Sequence, residues 1–132
     1  MTVPQPLVYV DTSAAASLLK AEPHSTALKE WLIRSKSSLI SSALLETELR
    51  RVALKAGESQ TRASDILSRI DQVLLDQPIL RSAGLLKGPF LRSLDAIHIQ
   101  TALTIGAGGV LTYDKRMVEA AEYFGMEVHA PA

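Results

Sequence analysis

The chain has 132 residues, the size of one ordinary domain, and 47% of them are hydrophobic, enough for a real core and too many for a disordered chain. Lysine plus arginine equals aspartate plus glutamate at 14 each, so the strongly basic balance of many nucleic-acid-binding domains is missing. Any polyanion must be met by a local basic patch or through metal. There is no cysteine, which rules out disulfides and thiolate metal ligands and fits a reducing cytoplasm. Met1 to Pro6 has neither the basic nor the apolar region of a signal peptide, and no apolar run is long enough to span a bilayer. A cytoplasmic protein without a membrane segment is expected.

Short apolar runs alternate with longer helical stretches along the chain. This is the pattern of an α/β domain with a parallel sheet, here one domain over residues 1–132. Leu7 to Val10 reads as a buried strand ending at Asp11. Thr12 or Ser13 caps a helix from Ala14 to Lys20, and Pro23 breaks it. A second helix spans Ser25 to Arg34, with Leu28, Trp31 and Leu32 on one face. Ser38 to Ile40 is a short strand. Ser41 or Ser42 caps a helix that runs to Ala56 and stops at Gly57. The apolar positions Ala63, Ile66, Leu67 and Ile70 predict a helix from Thr61 to Gln72, followed by a strand over Val73 to Leu75. Pro78 suits the first turn of the next helix. Ser93 caps a helix from Leu94 to Ile105, Val110 to Thr112 is a strand, Lys115 to Phe124 is helical, and Glu127 to His129 is a final edge strand.

In such a sheet the strand C-termini and helix N-termini share one edge, where ligands bind. Asp11 ends the first strand, Asp114 follows the fourth, and Asp95 lies in the first turn of the helix between them. Glu48 sits roughly 9 Å into its helix, although helical side chains lean back toward the N-terminus. Taken singly, Asp95 and Asp114 have ordinary explanations, since acids favour helix first turns and aspartate favours turns. Asp11 is less easily explained, because an acid between an apolar strand and an apolar helix is costly to bury alone. Convergent carboxylates repel unless a cation compensates them. An oxygen-only donor set points to Mg²⁺, with Mn²⁺ as a substitute.

Four segments carry a family resemblance. Tyr9-Val10-Asp11-Thr12-Ser13-Ala14 resembles the opening motif of PIN-domain nucleases, and Ser41 to Arg51, with Glu48 before a Leu-Arg pair, resembles their second motif. Leu94-Asp95-Ala96-Ile97-His98 is similar to the third, and Leu111 to Met117, with Asp114, to the fourth. They occur in family order over nearly the whole chain. The length and the Leu-Asp-Ala-Ile-His form are similar to the VapC toxins of type II toxin–antitoxin pairs.

That resemblance implies a five-stranded parallel sheet flanked by helices, and Mg²⁺-dependent endoribonuclease action on structured RNA, often transfer or ribosomal RNA, by metal-activated water. It puts Asp11, Glu48, Asp95 and Asp114 on the family's acidic positions. It also implies a VapB-like antitoxin partner and a homodimer. Asp11 and Asp95 are expected to hold the principal metal, with Glu48 and Asp114 completing the shell. Thr12, Ser13 and Thr112 are candidates to support the acids by hydrogen bonds, or else simply cap and turn.

Arg50, Arg51, Arg92, Lys115 and Arg116 flank the acids and are candidates for a basic rim; the ordinary alternative for each is a solvated surface charge. Glu46 lies about 200° round the helix from Glu48 and is expected to face away, solvated. His98 is expected to be a packed, hydrogen-bonded core residue rather than a catalyst.

Two rival functions use parts of the same pattern. Aspartate-based phosphotransfer or phosphatase modules also place an Asp after the first strand, but the dehalogenase-like ones need a second Asp where this chain has Ser13. A non-catalytic RNA- or partner-binding domain of the same fold would not need the complete acidic set.

Overall fold

The computed structural model describes residues 5–89 and 91–132. The stretch read for a signal peptide therefore falls largely outside it. In chain order the elements are β1 (Leu7–Val10), α1 (Thr12–Leu19), α2 (Ser25–Ser35), β2 (Ser38–Ser42), α3 (Leu44–Ala56), α4 (Gln60–Leu67), β3 (Asp71–Val73), α5 (Gln77–Gly84), α6 (Ser93–Thr104), β4 (Gly109–Leu111), α7 (Lys115–Tyr123) and β5 (Glu127–His129).

The five strands form one sheet in the order β3-β2-β1-β4-β5, and every pairing is parallel. This is the α/β architecture expected. The chain winds outward from β1 through β2 to β3, then returns to the other side of β1 for β4 and β5. The order reverses between β1 and β4, so the crevice lies at their carboxyl ends. Val10 pairs with Leu111 there, which sets Asp11 beside Thr112.

Successive strand side chains face opposite sides of the sheet. Val8 and Val10 pack with Ala15, Leu19, Leu45, Leu49 and Ile66 in one core layer. Tyr9 and Val110 pack with Ile99, Ala102, Met117 and Ala121 in the other. The sheet is thus covered on both faces.

Several element boundaries differ from the sequence reading, each for a local reason. Helix α1 starts at Thr12, two residues early, with Asp11 rather than Thr12 or Ser13 as its N-cap residue. The Asp11 carboxylate makes no capping bond; its Oδ2 accepts two side-chain hydroxyls instead. Ser41 and Ser42 extend β2 instead of preceding the helix. The Ser41 hydroxyl donates to the Val10 carbonyl, and Ser42 Oγ accepts the Leu44 N–H. Helix α4 ends at Leu67 rather than Gln72, and β3 is Asp71–Val73 rather than Val73–Leu75. Pairing with β2 sets that register: Ser42 lies opposite Val73, and the Ala43 N–H closes the ladder on the Val73 carbonyl. Leu74 is then left in solvent. Arg92, not Ser93, is the N-cap residue of α6. Gly57, with φ of 70°, ends α3 as expected, in a left-handed conformation that glycine adopts without a Cβ penalty. Among the described residues no helix is long and apolar enough to cross a membrane.

Candidate active site

Asp11 is buried at 5% exposure where β1 passes into α1. Its Oδ2 accepts hydrogen bonds from the Ser13 hydroxyl at 2.7 Å and the Thr112 hydroxyl at 2.9 Å. Thr112 Oγ1 also accepts the Asp114 N–H at 3.1 Å, and Ser13 Oγ accepts the Tyr113 N–H at 2.9 Å. These bonds stitch the end of β1 to the loop after β4. The supporting places proposed for Ser13 and Thr112 are therefore direct contacts with a carboxylate.

Glu48 projects from the second turn of α3. Its Oε1 accepts the Thr12 hydroxyl at 2.8 Å and stands 2.6 Å from His98 Nε2. The other ring nitrogen of His98 is 2.6 Å from the Tyr9 hydroxyl, which accepts the Ser42 N–H at 3.1 Å. Burial pushes the Glu48 carboxyl up, but the hydrogen bond with His98, together with the Thr12 bond, outweighs it and holds the group below its ordinary range. His98 is indeed buried and hydrogen-bonded. Its connection to Glu48 is the feature that sequence reasoning missed, together with the part played by Tyr9. A buried tyrosine hydroxyl needs a polar partner, which was the one available signal.

Asp95 sits at the third position of α6, where the Arg92 N–H reaches its Oδ2 at 3.4 Å. Arg116 Nε faces the same oxygen at 3.8 Å, too far for a hydrogen bond, and this buried nitrogen has no other partner among the described residues. Asp114 is the N-cap residue of α7, its Oδ1 accepting the Arg116 N–H at 2.9 Å. Both acids thus do the structural work that helix termini ask of them.

The contacts close into a ring: Glu48 to Thr12, next to Asp11, to Thr112, to Asp114, to Arg116, to Asp95, and back through α6 and His98 to Glu48. Each acid uses one oxygen in these bonds. Asp11 Oδ1, Glu48 Oε2, Asp95 Oδ1 and Asp114 Oδ2 accept no hydrogen bond from the described residues. Four oxygen donors, each oriented through its partner oxygen, suit a hard divalent cation in chemistry. As the side chains stand, no three acidic or histidine groups among the described residues are gathered tightly enough to enclose an ion.

The basic candidates divide. Arg50 turns to the far side of α3, where it pairs with Glu46 and donates to Gln60 and Ser64 of α4. The structure does not bring it to the acids. Glu46 faces away as expected but is not merely solvated: the Arg50 bond and the Gln72 amide hold its carboxyl below the ordinary range. Arg51, Arg92 and Lys115 are exposed and make no ion pair among the described residues. Arg116 is half-buried against Asp95. Trp31 is half-buried beside His129 rather than exposed, with ring centroids 5.0 Å apart.

A parallel sheet with acids set around its switch point defines the class, and comparison with known proteins names it. The family model described as PIN domain matches residues 8–123. Ribonuclease VapC46 of Mycobacterium tuberculosis is 41% identical over 128 residues, covering 95% of this chain and 98% of the relative. Ribonuclease VapC35 of the same species is 39% identical over 131 residues, covering 95% and 97%. The crystal structure of M. tuberculosis VapC20, described as a sarcin–ricin loop cleaving toxin, superimposes with a TM-score of 0.74 at 16% identity, over 95% of this chain and 99% of that one. The chain belongs to the PIN-domain family, among the VapC ribonucleases.

Proposed function

We propose that the chain is the toxin of a type II pair, an endoribonuclease that depends on Mg²⁺, or on Mn²⁺ in its place, and acts in the cytoplasm on structured transfer or ribosomal RNA. The single observation that carries this reading is the acidic ring, in which all four carboxylates have one oxygen held by the protein and the other left over. It supports cation binding by Asp11 and Asp95, with Glu48 and Asp114 completing the set.

A divalent ion there would supply Lewis acidity toward the phosphodiester and the attacking water. The chain's own residues orient the donors: Ser13 and Thr112 fix Asp11, Thr12 and His98 fix Glu48, and the Arg116 N–H fixes Asp114. Arg51, Arg92 and Lys115, exposed and near the acids in sequence, would meet backbone phosphates around this edge. Water's oxygen bonds to phosphorus as the P–O3′ bond breaks, giving 5′-phosphate and 3′-hydroxyl ends. A VapB-like antitoxin that blocks the site, and a homodimer, complete the assignment.

Mapping of cleavage sites in total RNA tests it, using the wild-type chain and Asp11→Asn, each with and without Mg²⁺. Discrete cuts made only by the wild type with Mg²⁺ are expected. An Asp11→Asn chain that cuts as fast as wild type, free of host ribonuclease, overturns it.

A further inference from the structure

The hydrogen bonds behind Glu48 have a direction. The Tyr9 hydroxyl oxygen accepts the Ser42 N–H at 3.1 Å, so its own hydrogen is available to His98 Nδ1, 2.6 Å away. An imidazole that accepts at Nδ1 carries its hydrogen on Nε2, the nitrogen 2.6 Å from Glu48 Oε1. Thr12 donates to the same oxygen from α1. Two donors on two elements therefore converge on Oε1, and none reaches Oε2 among the described residues.

The geometry points to Tyr9 and His98 as a positioning pair: the Nε2–H of His98, set by the Tyr9 hydroxyl, holds Glu48 by Oε1 and leaves Oε2 for the divalent cation. This rests on the metal reading above and deepens it. A histidine that merely filled the core would need only satisfied nitrogens. Here the two nitrogens join the central strand β1, the helix α6 that carries Asp95, and the helix α3 that carries Glu48. The Glu48 carboxylate is thereby referenced to the strand that ends at Asp11. Partners that orient a ligand in this way are typically worth about 10–100-fold in metal affinity.

The test combines two measurements on the full chain at pH 7.5. Nitrogen-15 NMR of the imidazole reports which ring nitrogen carries hydrogen, and calorimetric Mn²⁺ titration reports affinity; thermal unfolding shows that each variant is folded. Wild-type His98 is expected as the Nε2–H form. Tyr9→Phe, which keeps the ring and loses the hydroxyl, is expected to mix the two forms and to weaken Mn²⁺ binding. His98→Leu is expected to weaken it about 10–100-fold, and His98→Gln, whose amide N–H falls near Nε2, to restore most of it. Should His98→Leu fail to fold, the Tyr9→Phe and His98→Gln comparison carries the decision. A wild-type His98 in the Nδ1–H form, or a folded His98→Leu or Tyr9→Phe chain that binds Mn²⁺ as tightly as wild type, overturns the positioning role alone. A wild-type chain that binds no Mn²⁺ overturns the metal reading and this role with it.

Discussion

Asp11 is nearly inaccessible, and its only side-chain partners among the described residues are two hydroxyls, with no cation beside it. A buried carboxylate without a countercharge is held at a cost that a bound cation would remove. Asp11→Asn should therefore do two opposite things. In chelator the variant should be at least as stable as wild type, because the uncompensated charge is gone while the amide oxygen still accepts both hydroxyls. With excess Mg²⁺ only the wild type should gain stability, by about 2.7 kcal/mol at a hundredfold excess over the dissociation constant. Thermal unfolding with and without Mg²⁺ reads both effects, and an equal gain by the variant would remove Asp11 from the metal set. Glu48 makes a pH prediction. Its folded value lies below its ordinary 4.5, chiefly through His98 once burial is overcome. Between the two values the unfolded chain binds more protons, so stability rises with pH through that window. This contribution is fully present above about pH 4.5 and lost as pH falls through the folded value. In urea titrations from pH 3 to 6 in chelator, Glu48→Gln should flatten this part of the acid limb; an unchanged slope would mean that the carboxylate gains nothing from His98.

At the level of elements, the strands and the order of the four acidic segments were legible because a parallel sheet fixes which ends meet. A short apolar run identified β1, and connectivity alone put Asp11 at the same edge of the sheet as the loop after β4. The boundary between α4 and β3 was not legible. Residues 68–70 hold no glycine or proline to interrupt the helical period, and the strand register was decided by pairing with β2 instead. The support behind Glu48 was hidden for a different reason. The Tyr9–His98 contact joins residues 89 apart and the His98–Glu48 contact residues 50 apart, while periodicity reports a face and never a partner. The other edge of the sheet holds a similarly unannounced contact. A Cβ added to Gly109 of β4 would lie 2.6 Å from His129 Nε2 and 3.3 Å from the Glu127 carbonyl oxygen in β5. Gly109→Ala must push aside the His129 ring, which stands beside Trp31. A loss of about 1–3 kcal/mol is expected from such overpacking. Because the chain has one tryptophan, its fluorescence in urea reports both the loss of stability and the altered native environment. Unchanged fluorescence and midpoint would show that β5 yields without cost.

Across the whole molecule, zero net charge conceals an uneven distribution. Around α3 and α4 three arginines are paired internally, Arg50 with Glu46, Arg62 with Glu58 and Arg69 with Asp65, each pair four residues apart. Arg51, Arg92 and Lys115 are exposed, unpaired among the described residues and close in sequence to the acids. A polyanion is therefore expected to bind at the acidic edge even though the chain as a whole does not attract it. Salt dependence separates this from diffuse attraction. Each phosphate neutralised by a side chain releases counterions and steepens the fall of log affinity with log salt by about 0.7 on single-stranded RNA. In an Asp11→Asn background, where the RNA stays intact, Arg51→Gln with Lys115→Gln should make that slope shallower by about 1.4. The matched pair Arg62→Gln with Arg69→Gln removes the same charge from arginines already paired with carboxylates and should leave the slope unchanged. Equal changes from the two pairs would mean that RNA reads the net charge of the molecule and that the edge has no rim.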